Sequence, residues 1–330
     1  MSPSRAIHVW SRCHNCGMNP ITGPCFRCET CPLGPDSDLC SACLEGYQAG
    51  RVAHPNGSPA GTPATHRFAR SEGNVPAGLA SWLEIPPSMY AAPAVPAGFL
   101  VRPEFRYGRN SVFGGYGFII RFEEQTFLLT ALHVMDELIK IKGIDTTNRN
   151  PRYTGEELPP HVSSVRLYDV LKNPWMLHEL GDAGPMLVLA NARTGDDEPY
   201  AHRDIAAFRV RSPQLMRAVS LAKKEPEPGE AIWLAAAMPD GSRTRRAVCV
   251  EKTPHSFVFR YEEAKNIPKY PSGAPILDGR GDVVGINTGL GCFAGREFGH
   301  ANPVGSILTH LKRALTASRG RNASGASAAT

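Results

Sequence analysis

The chain has 330 residues, and its 36 lysines and arginines against 31 aspartates and glutamates give a net charge of +5. The basic residues are scattered, which argues against nucleic-acid binding, and no apolar run approaches the roughly 18 residues that a membrane span needs. The stretch from Met1 to Cys13 contains no apolar signal core, so the sequence predicts an intracellular protein, cytoplasmic or nuclear.

Cysteines are concentrated in the first part of the chain. Seven of the nine lie between Cys13 and Cys43. Six of these form three pairs with two residues between the partners: Cys13 and Cys16, Cys28 and Cys31, and Cys40 and Cys43. Pairs at this spacing chelate a single ion readily, and the lack of a signal peptide favours a metal module over a disulfide framework. We therefore expect residues 1–66 to form a small metal-binding module.

Two short segments beside these pairs make the pattern more specific. Pro20-Ile21-Thr22-Gly23 precedes the second pair, and Asp36-Ser37-Asp38-Leu39 precedes the third. With them, the stretch from about residue 8 to 66 resembles a ZZ-type zinc finger. The resemblance implies a cross-braced module that holds two structural Zn²⁺ ions.

The same resemblance implies which residues bind. One ion would be held by Cys13, Cys16, Cys40 and Cys43, and the other by Cys28, Cys31, His54 and His66. Cys25, His8 and His14 remain open as alternatives to the histidine pair. In ZZ fingers, acidic residues at the positions of Asp36 and Asp38 bind a free N-terminal amine or a basic peptide of a partner protein. The alternative is that both aspartates cap turns and tune the charge of the zinc site.

Proline, alanine and glycine are dense over residues 67–97. Prolines remove backbone donors and block helices, so this segment is predicted to be an extended linker. A second domain is expected over residues 98–317, followed by a Gly/Ser/Ala-rich tail, residues 318–330, that is predicted to be disordered.

Two candidate polar residues occur in the first half of this domain. The β-rich runs Phe118 to Phe122 and Thr126 to Thr130 predict a hairpin, and His133 follows the second run directly. Further on, Asp204 stands at the head of an alternating apolar run. Asp182 is the competing aspartate, but the apolar run after it alternates less regularly.

A candidate nucleophile follows in the second half. Tyr270-Pro271-Ser272-Gly273-Ala274-Pro275 places a serine on a tight turn before an apolar strand pair. A serine nucleophile needs a hydroxyl that projects from a sharp turn and amide N–H groups that can hold an oxyanion. Together with His133 and Asp204, in that order along the chain, this turn resembles the trypsin-like (chymotrypsin-fold) serine proteases.

This second resemblance implies a mostly β fold, a chymotrypsin-like double β-barrel with a C-terminal helix. An amphipathic stripe supports the helix: Ile307, Leu308, Leu311 and Leu315. The resemblance further implies that Ser272 is the nucleophile, His133 the general base, Asp204 its orienting partner, and the amides of Tyr270 and Ser272 the oxyanion hole.

The function that follows is an intracellular serine endopeptidase, which the zinc finger directs to protein substrates or partners. Tyr270 and Pro271 depart from the family, which has glycine and an aspartate or asparagine at these positions. An alternative is therefore a weak or inactive protease-fold scaffold that binds proteins or free N-termini.

Overall fold

The computed structural model describes residues 7–8, 13–16, 21–22, 24–30, 38–54, 66–71, 91–135, 158, 162, 164–170, 178–187, 189, 192, 203–253, 255–262, 271–293 and 296–326. The chain divides into two compact units. The first comprises Met1–Glu84 and Leu290–Phe298, and the second comprises Ile85–Gly289 and Gly299–Thr330.

The N-terminal part of the first unit is a small module with little apolar core. Its elements are β1 (Ile7–His8), β2 (Ile21–Thr22), β3 (Cys25–Cys28), β4 (Leu39–Cys40), α1 (Ser41–Gln48) and β5 (Phe68–Ser71). β1 pairs with β2, and β4, β3 and β5 form a three-stranded sheet. Leu44 and Tyr47 of α1 pack with Ile21, Leu39 and buried cysteines. A core of this size is too small to stabilise a domain without cross-links.

The module extends beyond residue 66, where the sequence predicted the linker to begin. Phe68 pairs with Cys28 in the β3–β5 ladder. Its ring also lies 5.6 Å from that of Tyr47, so the strand is held by packing as well as by backbone bonds. At the other end of the predicted linker, Val95 is buried in the core of the second unit. Residues 72–90 lie outside the described part of the chain.

The first barrel of the second unit is antiparallel. Its strands are β6 (Leu100–Tyr107), β7 (Asn110–Phe113), β8 (Gly117–Phe122), β9 (Gln125–Thr130), β10 (Ser164–Asp169), β11 (His178–Leu187) and β12 (Ala206–Val210). The sheet runs in the order β10-β11-β12-β9-β8-β6-β7, and β6 also pairs with β10, which closes six of the strands into a barrel. Buried phenylalanines fill it, including Phe105, Phe118, Phe127 and Phe208.

The second barrel is closed as well. It consists of β13 (Ala231–Ala235), β14 (Thr244–Lys252), β15 (Phe257–Tyr261), β16 (Pro275–Leu277), β17 (Val283–Phe293) and β18 (Arg296–Pro303). Its strand order is β13-β14-β15-β18-β17-β16. The predicted mostly β fold, a chymotrypsin-like double barrel, is therefore confirmed.

The C-terminal helix is also confirmed. α2 (Val304–Ala326) buries Ile307, Leu311 and Leu315, the stripe seen in the sequence, and leaves Leu308 half-buried. The helix runs beyond Ser318, where the sequence predicted a disordered tail, because an established helix gains one backbone bond for each added residue. Within the described part of the chain, no helix is long and apolar enough to cross a membrane.

Candidate active site

His133 and Asp204 meet because their strands are neighbours. His133 lies in a short 3₁₀ helix, Leu132–Met135, directly after β9, and Asp204 lies just before β12. β9 and β12 pair with Ala206 opposite Thr130, so the two polar residues come together at one end of the ladder. The His133 backbone N–H donates to Asp204 Oδ1 at 3.0 Å, and His133 Nδ1 lies 2.6 Å from Asp204 Oδ2.

This geometry selects one form of the imidazole. The Asp204 side chain is fully buried and its carboxylate can only accept, so Nδ1 carries the proton in this contact. In the neutral ring the lone pair is then on Nε2, the nitrogen that a general base uses. The His133 side chain is 24% exposed, which leaves its ring accessible.

Asp182, the competing aspartate, has a different partner. It lies on β11, where its Oδ2 accepts a hydrogen bond from Arg211 Nη1 at 3.3 Å. Its side chain is 37% exposed. The contact with His133 therefore involves Asp204, as the strand pattern in the sequence favoured.

Ser272 lies on a tight turn that glycine makes possible. Ala274 N–H donates to Pro271 O at 3.0 Å, and Gly273 has a φ of 81°. A positive φ at the third residue defines a type II turn, with Ser272 at the second position and half-exposed. Among the described residues, no backbone carbonyl accepts a hydrogen bond from the Ser272 amide.

A close backbone approach holds this turn beside the segment that carries His133. Tyr116 N–H donates to Ser272 O at 2.8 Å. A Cβ on Gly115 would overlap Ser272 O and would lie 2.9 Å from Val134 Cγ1, the side chain that follows His133. Thr130 Oγ1 donates to Tyr116 O at 2.6 Å and so ties the end of β9 to the same loop.

The sequence did not identify several residues that support this site. Gly115 and Thr130 make the contacts just described, and two buried asparagines add others. Asn302 Nδ2 donates to the backbone carbonyl of Asp204 at 3.5 Å, and Asn287 Nδ2 donates to Pro271 O at 3.1 Å. For Asn287, an amide side chain directly after the apolar run Val283 to Ile286 was the available signal. Tyr270, the other predicted oxyanion residue, lies outside the described residues.

The N-terminal module contains a cluster of four cysteines that could bind a metal ion. The Sγ atoms of Cys13, Cys16, Cys40 and Cys43 lie within 4.8 Å of one another, and those of Cys16 and Cys40 are 3.8 Å apart. Tetrahedral zinc with Zn–S bonds of about 2.3 Å separates its sulfur ligands by about 3.8 Å, so the cluster fits this ion. Asn15 Nδ2 also donates to Cys43 Sγ at 3.3 Å, a contact that favours a thiolate.

A second cluster joins Cys28, His54 and His66, whose ligand atoms also lie within 4.8 Å of one another. Cys28 Sγ is 3.6 Å from His66 Nδ1. A tetrahedral zinc with Zn–S of about 2.3 Å and Zn–N of about 2.0–2.1 Å requires about this separation. The fourth predicted ligand, Cys31, lies outside the described residues. Cys25 belongs to neither cluster.

The two aspartates predicted to bind a peptide are placed unequally. Asp38 is fully buried, and its two oxygens accept from Arg27 Nε at 2.8 Å and Arg27 Nη2 at 3.0 Å. Such a bidentate pair supports the structural role that the sequence left open for this residue. Asp36 lies outside the described residues, so peptide binding by the module stays a prediction.

Cys249, unlike the clustered cysteines, lies outside the N-terminal module. It is buried in the second barrel, and burial raises its pKa to about 12. A thiol with so high a pKa is protonated at neutral pH and is not nucleophilic. Cys249 is therefore a core residue and does not compete with Ser272 as a nucleophile.

No protein-family model matches the chain. No curated protein matches it either. Among solved structures, it is similar to the active form of the Rv3671c protease from M. tuberculosis, with 16% identity and a TM-score of 0.39, over 65% of this chain and 80% of that one. The serine endoprotease from Yersinia pestis is 15% identical with a TM-score of 0.40, over 71% of this chain and 68% of that one.

A third similar structure is the HtrA-type protease AlgW with a tripeptide, 16% identical with a TM-score of 0.41, over 66% of this chain and 60% of that one. At these identities and scores the likeness carries no conclusion about activity. The two closed barrels with the C-terminal helix form a chymotrypsin-like double β-barrel.

Proposed function

We propose that the chain is an intracellular serine endopeptidase with Ser272 as nucleophile, His133 as general base and Asp204 as its orienting partner. The observation that carries this proposal is the contact of 2.6 Å between His133 Nδ1 and the buried Asp204 carboxylate. It supports the tautomer in which Nε2 accepts a proton. The half-exposed Ser272 lies on a turn that packs beside the segment carrying His133.

The proposed reaction proceeds through an acyl-enzyme. Ser272 Oγ bonds to the carbonyl carbon of the scissile peptide while its proton passes to His133 Nε2 and the carbonyl electrons move onto oxygen. Asp204 stabilises the imidazolium that forms. Collapse of this intermediate breaks the C–N bond, and His133 returns the proton to the departing amine. A water molecule then attacks the acyl-enzyme by the same two steps and releases the acid.

The developing oxyanion needs hydrogen-bond donors. The Ser272 amide is the proposed donor within the described residues, and Tyr270 N–H is the second donor that the family resemblance implies. Pro271 has no N–H, but none is required of it there, and its carbonyl closes the type II turn. The half-exposed Ser272 at the second position of this turn supports catalysis over the alternative of an inactive scaffold.

For the N-terminal module we propose two structural Zn²⁺ ions. Cys13, Cys16, Cys40 and Cys43 would hold one, and Cys28, Cys31, His54 and His66 the other. The ions would supply folding energy and take no part in the chemistry, since a closed tetrahedral set leaves no position for a substrate. The proposed task of the module is to bind protein substrates or partners, including those with a free N-terminus.

A fluorophosphonate probe for serine hydrolases tests the catalytic part. The zinc-loaded wild-type protein should react covalently, and Ser272→Ala and His133→Ala should both abolish the reaction. Circular dichroism of both variants serves as the control for folding. A folded wild-type protein that stays unlabelled would overturn the enzyme proposal and favour the scaffold.

A further inference from the structure

Asn287 makes three hydrogen bonds to the turn that carries Ser272. Its side-chain Nδ2 donates to Pro271 O at 3.1 Å. Its backbone carbonyl accepts from Gly273 N–H and its backbone N–H donates to Ala274 O, both at 2.8 Å. A single residue of β17 therefore contacts every residue of the turn except Ser272 itself.

The side-chain bond determines the direction of an amide that the reaction needs. In a trans peptide the C=O and the following N–H point in opposite directions. Pro271 O is held by both Ala274 N–H and Asn287 Nδ2, so the Ser272 N–H is fixed on the opposite side of that peptide plane. On the other flank, Tyr116 N–H holds Ser272 O. Both peptides that flank Ser272 are thus fixed. Asn287 of the second barrel holds the first of them, and Tyr116 of the first barrel holds the second.

The Asn287 side chain also has an unfavourable feature, an acceptor atom without a partner, and its orientation follows from the hydrogen bond that Nδ2 donates. Asn287 is fully buried, and among the described residues its Oδ1 has no hydrogen-bond partner. Flipping the amide would place Oδ1 against Pro271 O, an acceptor facing an acceptor, so the orientation is set by chemistry. A buried acceptor without a partner destabilises the fold. A leucine, which branches at the same carbon, would avoid that cost but could not donate to Pro271 O.

We infer that Asn287 is a positioning residue, which acts through Pro271 O to aim the Ser272 N–H at the developing oxyanion. The inference rests on the proposed function, because the oxyanion exists only if Ser272 attacks a carbonyl. It assigns Asn287 no contact with the substrate. Its loss should therefore lower kcat and leave KM nearly unchanged.

The test compares Asn287→Leu with Val284→Ala. Val284 lies on the same strand, is buried in the core of the second barrel and makes none of the three hydrogen bonds to the turn. The rate constant for fluorophosphonate labelling and the kcat and KM for a peptide ester are measured for both variants and the wild type. Removing an oxyanion donor costs about 10²–10³ in kcat, so misaiming one should cost at least about tenfold.

Asn287→Leu should keep or raise the melting temperature, and its labelling rate constant and kcat should fall at least about tenfold. Val284→Ala should lower the melting temperature and leave the labelling rate constant and kcat unchanged. Equal labelling by wild type and Asn287→Leu would overturn the inference and leave the proposed function intact. If Asn287→Leu does not fold, Asn287→Ala takes its place with the same expected loss of labelling rate and kcat, although the cavity that it leaves should also lower the melting temperature.

An unreactive wild-type protein would overturn the proposed function, and a second measurement then decides on Asn287 alone. In protein labelled with ¹⁵N-serine, the Ser272 amide signal is assigned by its disappearance in Ser272→Ala. It should shift in Asn287→Leu and stay in place in Val284→Ala. A Ser272 signal that does not move in Asn287→Leu would show that the side chain does not orient this peptide.

Discussion

At the scale of single residues, two aspartates allow a matched test of the proposed base. Asp204 is buried and bonded to His133, whereas Asp182 is exposed and bonded to Arg211. Asp204→Asn should keep the fold but place the proton on the wrong ring nitrogen, and kcat should fall by about 10⁴. Asp182→Asn should leave kcat unchanged. Peptide-ester hydrolysis measures both, and equal effects of the two substitutions would refute the assignment of Asp204.

Gly273 and Gly281 form a second matched pair, because both have a positive φ but only one is crowded. A Cβ on Gly273 would overlap Tyr116 O and Thr130 Oγ1, whereas one on Gly281 would lie 3.7 Å from Pro93 Cβ. Left-handed strain alone costs an alanine about 1–2 kcal/mol, and overpacking adds about 1–3 kcal/mol. Gly281→Ala should therefore lose about 1–2 kcal/mol, and Gly273→Ala about 2–5 kcal/mol.

Urea denaturation gives both free energies of unfolding. Gly273→Ala should also stop fluorophosphonate labelling, because Ser272 would move with the turn. Similar losses of stability in the two variants would show that Tyr116 and Thr130 do not crowd the turn at Gly273.

At the scale of elements, the β8–β9 hairpin carries strain that glycine would relieve. Its two turn residues, Glu123 and Glu124, have φ values of 47° and 60°. Two-residue hairpins favour asparagine and glycine here, since a left-handed residue with a side chain costs about 1–2 kcal/mol. Glycine has a larger backbone entropy in the unfolded chain, which offsets part of the relieved strain. Glu124→Gly should therefore raise the free energy of unfolding by about 0.5–1 kcal/mol.

Glu124→Ala is the control for this prediction. It keeps the left-handed strain and loses only the exposed pair with Arg121, at 3.7 Å, which contributes roughly 0–1 kcal/mol. Its stability in thermal denaturation should equal that of the wild type or fall slightly below it. A gain as large as that of Glu124→Gly would show that side-chain removal, and not relief of strain, is responsible.

Elements with strong local patterns could be predicted from the sequence, and elements that depend on distant partners could not. The β8–β9 hairpin and α2 followed from apolar periodicity. β5 (Phe68–Ser71) was missed because the segment around it is rich in proline and glycine, and the strand exists through pairing with β3. The end of α2 was missed because a Gly/Ser/Ala composition says little about how far a nucleated helix continues.

The same division holds for the candidate site. His133, Asp204 and Ser272 each stand where a strand ends or a turn tightens, and such positions have recognisable neighbours. Gly115 and Asn287 matter only through contacts with a turn far away along the chain. A pattern within one segment contains no information about such a contact.

At the scale of the whole molecule, the N-terminal module and the barrels are stabilised by different means. The barrels bury a large set of aromatic and aliphatic side chains, whereas the module buries few apolar residues besides its cysteines. Structural zinc contributes an apparent binding free energy of about 10–16 kcal/mol in small finger peptides, enough to decide whether such a module folds. Removal of metal should therefore unfold the module and leave the barrels folded.

The metal content of the purified chain tests which thiols belong to which cluster. Two zinc ions per chain are expected by elemental analysis. Cys13→Ser should lose one ion and Cys28→Ser the other, because they lie in separate clusters.

Cys25→Ser is the matched control, since Cys25 is equally buried in the same module but belongs to neither cluster, so both ions should remain. Loss of an ion from Cys25→Ser alone would move Cys25 into the ligand set. Retention of both ions by Cys13→Ser and Cys28→Ser would instead refute metal binding by these two clusters.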